Sequence, residues 1–249
     1  MYYTVVPGDT LWAIAQRFGL TLQELINMNP QITNPNVLSP GMMIIVKKVV
    51  YLTVDDGPGG ISTELMLLLL EKFRNHNIKA TFFMLDGNMR SYPDLVRRMV
   101  AEGHSVGLHG VTHDNEVFYA SKESVLGEMD QAQETLREIT GVTSYLIRTP
   151  YGSSPGMTDE YKQAVAERGY KMWDWNVDTE DWRYQDERYV NHTIEQLEAL
   201  DPTSNAVVLM HDYLYTTQYL PLLLDSLISS GYEFRRLTED LPPLQFPTA

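Results

Sequence analysis

The fold class is indicated first by the stretch of residues 49–60, VVYLTVDDGPGG. Its first six residues are apolar or β-branched, which is typical of a buried strand. Asp55 and Asp56 follow at once, and the Gly-Pro-Gly-Gly run after them ends the strand. Asp-Asp-Gly is also the composition of an ordinary turn, so the pair indicates a functional site only if other strand ends carry similar groups.

Further strand-like runs occur downstream, and the segments between them have the 3.6-residue periodicity of amphipathic helices. The runs are ATFFML (80–85), SVGL (105–108), SYLI (144–147), MWDWNV (172–177), AVVLM (206–210) and YEFRRL (232–237). Repeated β-α units predict a parallel sheet or barrel with helices outside. We therefore expect an α/β fold with about seven strands in an incomplete (β/α) barrel.

Residues 1–47 have a different pattern, with a strand, two short helices and a second strand in the order βααβ. Thr21 and Glu24 have the spacing of a capping box at the start of the second helix. A unit of this size has a thin core and is usually attached to a larger domain. We predict one domain over 1–47 and another over 48–249. Because the join lacks a Gly, Ser or Pro tether, we expect the two to pack together.

Composition narrows the range of partners. The chain has 249 residues with 33 acidic and 19 basic side chains, a formal net charge of −14, so no nucleic-acid partner is expected. No apolar run is long enough to span a bilayer, and no membrane insertion is expected. The N-terminus has neither the basic nor the apolar segment of a secretory signal, and the export route stays open. No protein partner is evident.

Ionisable residues follow the strands at one end of the predicted barrel, where active sites of parallel β/α folds lie. Each has an ordinary alternative: a turn for the aspartate pair, a loop pair for the histidines, a surface charge for the arginine, and helix starts for the others. Their occurrence at the same end favours a functional site. They are Asp55, Asp56, His109, His113, Arg148, Asp178, Asp181 and His211.

These residue types suit metal-assisted hydrolysis. The chain has no cysteine, so a transition-metal site would use His and carboxylate ligands. A hydrolytic metal needs three protein ligands and an open position, which two His and one Asp provide. The second Asp of the pair would serve as the general base and a nearby Arg would keep it ionised. A His on the opposite side, oriented by a carboxylate, would protonate the leaving group.

The motifs TVDDG, HGVTH, RTPYG, DTEDW and VLMH occur in this order, and residues 49–241 resemble the NodB-homology polysaccharide deacetylases of carbohydrate esterase family 4. The resemblance implies a distorted (β/α) barrel. It also implies that Asp55 is the general base and that Asp56, His109 and His113 hold a divalent metal. In this family the metal is usually Zn²⁺ and sometimes Co²⁺ or another divalent ion.

The same resemblance implies the remaining roles. Arg148 would position the base, and the backbone N–H of Tyr151 would stabilise the oxyanion. His211 would be the general acid, oriented by Asp181. The walls of the pocket for the acetyl methyl group would be Trp182 and Leu209.

Gly110 departs from the family pattern, which has Ser or Thr between the first histidine and the rest of the loop. In the family that hydroxyl helps to hold the histidine loop by hydrogen bonding. We therefore expect its loss to loosen the loop, and Gly110→Ser to raise metal affinity or leave it unchanged.

Residues 1–47 resemble a LysM module, through YTVVPGDTLWAIAQRFG, LINMNPQI and LSPGMMIIV. LysM modules bind glycans that contain N-acetylglucosamine, which implies a polysaccharide partner. The alternative is a module kept only for folding or docking. The implied contacts come from two loops and include Gly8, Asp9, Thr10, Asn29, Pro30 and Ile32.

The resulting hypothesis is a metal-dependent N-deacetylase that acts on peptidoglycan or a chitin-type glycan, at the cell wall or at an extracellular or spore surface. One alternative is an acetylxylan O-deacetylase, which the LysM resemblance disfavours. The other is a cell-wall or spore-surface binding protein with little catalysis. It is disfavoured because a binding protein needs neither the base Asp55 nor the acid His211.

Overall fold

The first part of the chain folds as the predicted βααβ unit. A computed structural model describes residues 2–18, 20–201 and 204–247, so the predicted outer limits at Met1 and Ala249 lie outside the described residues. The two strands pair antiparallel, and Thr21 and Glu24 form the predicted capping box. The elements are β1 (Tyr2–Thr4), α1 (Leu11–Arg17), α2 (Leu22–Asn27) and β2 (Met43–Ile45).

The second part alternates strands and helices. Among residues 2–18, 20–201 and 204–247, no helix is both long and apolar enough to cross a bilayer. The elements are β3 (Lys48–Asp56), α3 (Ile61–Lys72), a 3₁₀ turn (Arg74–His76), β4 (Thr81–Met84), α4 (Asp86–Ser91), α5 (Pro93–Ala101), β5 (Ser105–Leu108), α6 (Asn115–Phe118), α7 (Lys122–Thr140), β6 (Leu146–Ile147), α8 (Asp159–Glu167), β7 (Lys171–Met172), β8 (Val177–Asp178), α9 (Asp181–Tyr184), α10 (Arg188–Ala199), β9 (Ala206–His211), α11 (Leu214–Ser229) and β10 (Tyr232–Arg235).

The strands of the second part form one parallel sheet in the order β7-β6-β5-β4-β3-β9-β8, with β10 beside the first half of β3. The predicted α/β fold, a distorted and incomplete (β/α) barrel, is confirmed. The register between neighbouring strands determines which side chains lie together at the site. Asp55 lies level with His211 on β9, and Asp56 lies level with Met84 on β4. The carboxyl ends of the strands therefore meet at one end of the half-barrel.

Side chains of β3 alternate between the two faces of the sheet, as a period of two requires. Val50, Leu52 and Val54 pack in the large core beneath the outer helices. Val49 and Tyr51 instead belong to a separate cluster with inward-facing side chains such as Phe83. Asp55 continues the second set, which is why this carboxylate is buried.

The predicted strand over 172–177 is wrong in one respect, because it is divided into β7 and β8. Between them, the backbone N–H of Asp174 donates to the carbonyl of Leu244 at 2.8 Å. Its buried carboxylate accepts from the N–H and hydroxyl of Ser153 at 2.8 and 2.5 Å, and from the N–H of Phe246 at 2.7 Å. At Asp174, these bonds to the loop after β6 and to the C-terminal segment take the place of hydrogen bonds to neighbouring strands.

Candidate metal and catalytic site

The carboxyl ends of the strands enclose a cavity of about 390 Å³. The structure thus brings together side chains that lie far apart in the chain. Arg148 and Asp181 are fully buried against the residues that form the wall. The lining residues are Asp55, Asp56, His109, His113, Tyr151, Trp175, Asp178, Trp182, Leu209, His211 and Tyr213.

Three of these residues form a cluster suited to a divalent cation. Asp56 Oδ1 lies 3.4 Å from Nε2 of His109 and 3.4 Å from Nε2 of His113. A ligand atom from each lies within 4.8 Å of the others. Asp56 Oδ1 is buried without a hydrogen-bond partner among the described residues, so the arrangement fits a cation bound between the three.

The ionised Asp56 and the orientation of the His109 ring also suit metal binding. Burial alone would raise the pKa of Asp56, but the neighbouring histidines, His109 above all, outweigh it and lower the pKa to about 2. His109 Nδ1 lies 2.8 Å from the backbone carbonyl of Arg148. That carbonyl needs a donor, so the proton is placed on Nδ1 and Nε2 is left to coordinate.

Three residues in or beside the cluster have a left-handed backbone conformation, which is uncommon for residues other than glycine. The φ angles are +73° at Asp56, +50° at His113 and +62° at Tyr151. Two hydrogen bonds hold this geometry: Asn88 Nδ2 donates to the carbonyl of Asp56 at 2.7 Å, and the Tyr151 hydroxyl donates to that of His113 at 3.0 Å. Strain of this kind is common where backbone must aim functional groups.

The histidine loop is fastened by a carboxylate rather than by a hydroxyl at position 110. Glu128 Oε2, on α7, accepts from the backbone N–H groups of Val111 at 2.8 Å and Thr112 at 3.0 Å. Glu128 Oε1 accepts from the Thr112 hydroxyl at 2.6 Å. Gly110 has φ +91°, and a Cβ there would lie 3.0 Å from Glu128 Oε2. The structure therefore gives no sign of the expected loosening, and it leaves poor room for the serine of the family pattern.

Asp55 is the buried carboxylate of the pair, and Arg148 is fully buried beside it. Arg148 Nη1 donates to Asp55 Oδ1 at 2.9 Å and to the Thr53 hydroxyl at 2.7 Å. Its Nε and Nη2 donate to the carbonyls of Trp173 and Asp174, each at 3.1 Å. With its donors in fixed bonds, the guanidinium has one orientation and keeps a positive charge against Asp55.

His211 lines the same cavity as Asp55 and is hydrogen-bonded to Asp181. His211 Nδ1 lies 2.8 Å from Asp181 Oδ1, and Asp181 Oδ2 accepts from the Thr216 hydroxyl at 2.6 Å. Burial alone would lower the pKa of His211, but Asp181 outweighs it and raises the pKa to about 9. The imidazole is therefore protonated at neutral pH and can donate a proton from Nε2.

The remaining predicted pocket residues lie where the sequence placed them, although their roles stay predictions. Leu209 is buried in the floor of the cavity and Trp182 stands at its mouth with 52% of its surface exposed. Tyr151 is also on the rim, at 60% exposure. Exposed aromatic rings beside an acidic pocket are suited to contact with a sugar.

The sequence motifs did not indicate several residues of the site. Tyr213 stacks on His211 with ring centroids 5.1 Å apart. Asp212 accepts from the Gly59 N–H at 2.8 Å and from the Thr63 hydroxyl, which ties the loop after β3 to the end of β9. Both are adjacent to the VLMH motif and were detectable as polar residues after an apolar strand. Glu128 carried no signal, because it is an ordinary-looking residue of a long amphipathic helix.

The predicted LysM contacts divide into exposed and buried positions. Gly8, Thr10 and Pro30 are exposed, whereas Asn29 and Ile32 are buried. The Asn29 amide donates to the carbonyl of Ile45 and accepts from its N–H, each at 2.7 Å. Its side chain is thus committed to holding the module together. Asp9 accepts from the Val6 N–H at 2.9 Å and the Tyr3 hydroxyl at 2.7 Å, which orders the first loop.

Comparison with known proteins agrees with this geometry. Residues 45–173 match the polysaccharide deacetylase family, and residues 3–47 match the LysM domain. The first match includes the three candidate metal ligands, together with Asp55 and Arg148. The chain belongs to the polysaccharide deacetylase family. A LysM domain precedes the deacetylase region, as the sequence motifs indicated.

Similar proteins have been described in Bacillus. The deacetylase is 42% identical over 200 residues to YheN of Bacillus subtilis, covering 79% of this chain and 70% of that protein. It is 40% identical over 200 residues to a peptidoglycan-N-acetylglucosamine deacetylase of Bacillus cereus, covering 78% and 71%.

Solved structures share the fold of this deacetylase. The polysaccharide deacetylase Bc1974 from Bacillus cereus is 37% identical with a TM-score of 0.69, covering 81% of this chain and 96% of that one. The catalytic domain of the peptidoglycan N-acetylglucosamine deacetylase from Eubacterium rectale is 26% identical with a TM-score of 0.73, covering 88% and 99%.

Proposed function

We propose that this protein is a metal-dependent hydrolase that removes acetyl groups from the N-acetylglucosamine residues of peptidoglycan. The observation that carries the proposal is the Asp56–His109–His113 cluster, which lies beside the Arg148-bound Asp55 and shares a cavity with the protonated His211. The Bacillus cereus relative, named for this activity, and the LysM match supply the substrate class. A chitin-type glycan has the same reacting group.

Asp56, His109 and His113 would hold the metal. Two imidazoles and one carboxylate suit zinc, with cobalt or another divalent ion as the alternative. A metal bound there would polarise the acetyl carbonyl and make a water molecule more acidic.

Asp55 acts as the general base in this proposal. It takes a proton from the water that attacks the acetyl carbon, and the hydrogen bond from Arg148 holds the carboxylate in one orientation. The backbone N–H of Tyr151 is assigned to the oxygen of the acetyl group as negative charge develops there. Trp182 and Leu209 form the walls against which the methyl group packs.

His211 acts as the general acid. It gives the proton of Nε2 to the amide nitrogen as the C–N bond breaks, which leaves acetate and a free amine on the sugar. Asp181 keeps the imidazole oriented and favours its charged form before the proton is transferred.

The LysM module would bind the polysaccharide substrate and bring the enzyme to it. The enzyme would then act at the cell wall. The exposed loop residues Gly8, Thr10 and Pro30 are the proposed glycan contacts, together with the backbone near Asp9, Asn29 and Ile32.

Acetate release tests the function. Zinc-loaded protein is expected to release acetate from N-acetylglucosamine oligomers and from peptidoglycan, and a chelator should abolish the release until zinc is restored. Release from acetylated xylan alone would overturn the substrate assignment. No release from any of these substrates would leave a glycan-binding protein and overturn the enzyme assignment.

A further inference from the structure

Strand β3 separates the two glycan-binding regions of the molecule. It begins at Lys48, directly after the LysM module, and it carries Asp55 and Asp56 at its other end. Seven residue steps from Lys48 to Asp55, at about 3.3 Å each, span roughly 23 Å. The catalytic cavity opens at the far end of this strand.

The module packs against the amino end of the sheet. Lys47 Nζ forms an ion pair with Glu233 of β10 at 2.9 Å. Asn27, Met28 and Pro30 share a cavity of about 160 Å³ with residues of the larger domain. Those residues lie at the end of α10, before β9 and at the starts of β3 and β10, and they include Lys48, Leu197, Leu200, Ser204 and Tyr232.

The join gives the module little freedom to move toward the catalytic cavity. Only Val46 and Lys47 separate β2 from β3, and Val46 is fully buried in the core of the module. One strand thus continues almost directly into the other. Pro30, in the second predicted glycan loop, faces the same junction. The loop is therefore held at the end of the barrel opposite the metal cluster.

We infer that the LysM module and the catalytic cavity bind different segments of the wall polymer. The inference rests on the proposed function. A short oligosaccharide that fills the cavity does not reach the module, so the module does not present that same segment for deacetylation. It holds the enzyme on a neighbouring strand, or on a distant part of one long strand. The substrate that uses both sites is an extended or cross-linked polysaccharide.

Binding stoichiometry tests the inference. Zinc-loaded Asp55→Asn protein, in which turnover is removed, is titrated calorimetrically with the tetramer of N-acetylglucosamine. We expect two tetramers per chain. Blocking the cavity with a hydroxamate, a class of compound that chelates zinc, should leave one. Pro30→Glu, which places a charge in the module's loop, should remove the other.

One tetramer per chain that a hydroxamate displaces completely, and that Pro30→Glu also weakens, would show a single shared site and overturn the inference. Acetate release by the wild-type protein is measured separately. Two bound tetramers without acetate release would contradict the proposed function and leave the separation of the two sites standing.

Discussion

Asp181 accepts hydrogen bonds from both the ring and the backbone of His211, each at 2.8 Å. The backbone bond fixes where β9 ends relative to α9, and the ring bond fixes the tautomer. One buried carboxylate therefore sets the position and the charge of the proposed acid. Its second role, accepting from Thr216, ties the same point to α11.

The alkaline limit of activity should depend on Asp181. The pKa of His211 is raised to about 9, so its acid form is lost and the rate falls as pH rises through that value. Asp181→Asn removes the negative charge, and the fall in kcat should move toward or below the ordinary histidine value of 6.5. Rate–pH profiles measure this, with the exposed Asp225→Asn as control. An unchanged alkaline limb in Asp181→Asn would contradict the assignment.

Substituting the two adjacent aspartates should separate turnover from metal binding. Asp55→Asn should keep zinc and lose turnover by about two to four orders of magnitude, because it removes a general base. Asp56→Asn should lose zinc, because it removes a ligand oxygen. Metal content after dialysis and acetate release distinguish the two. Loss of zinc in Asp55→Asn with zinc retained in Asp56→Asn would reverse the roles.

Gly110→Ser should now be harmful. A side chain at φ +91° is strained, and its Cβ would crowd Glu128 and Phe118, so we expect a loss of about 1–3 kcal/mol in unfolding free energy. Zinc affinity should fall with it. Thermal or denaturant unfolding measures the first and chelator competition the second. Gly127→Ser, at an exposed position of α7 with open space around it, is the control. Improved zinc affinity in Gly110→Ser would restore the expectation from the family pattern.

Glu128 should hold the histidine loop for metal binding. Glu128→Ala leaves the N–H groups of Val111 and Thr112 without their acceptor and should lower zinc affinity roughly 10- to 100-fold. Glu128→Gln should recover most of it, because the amide oxygen can accept from both N–H groups while its NH₂ donates to the Thr112 hydroxyl.

Zinc titration of the Glu128 variants, with unfolding of the metal-free proteins measured in parallel, provides the test. The exposed Glu134→Ala, on the same helix, should behave as wild type. Equal affinity in Glu128→Ala and wild type would show that the loop does not need this carboxylate.

The sequence predicted the fold and most of the site because both depend on short, local patterns. Apolar runs ending in Asp55, His109 and His211 marked the strands and their carboxyl ends together. The contacts that hold the site could not be predicted in the same way. Glu128 reaches Val111 from 17 residues away, and Asp212 reaches Gly59 across 153 residues. Such pairs depend on how helices and loops pack together, which the hydrophobic periodicity of the sequence does not indicate.

The division of the predicted strand at Asp174 has the same origin. The residues have strand composition, yet the C-terminal segment at Leu244 and Phe246 supplies their hydrogen-bond partners. Burial of Asn29 and Ile32 in the LysM module likewise reflects packing of loop residues into a small core. In each case a contact distant in sequence overrode a local preference.

Left-handed backbone at Asp56, His113 and Tyr151 has a consequence for engineering. Each residue lowers stability by about 1 kcal/mol relative to glycine at the same φ. A screen for heat resistance alone would therefore reward glycine at these positions. Glycine there would remove a cavity-lining side chain and free the backbone that aims its neighbours. Selection for thermal stability and selection for turnover should therefore favour different residues first at these three positions.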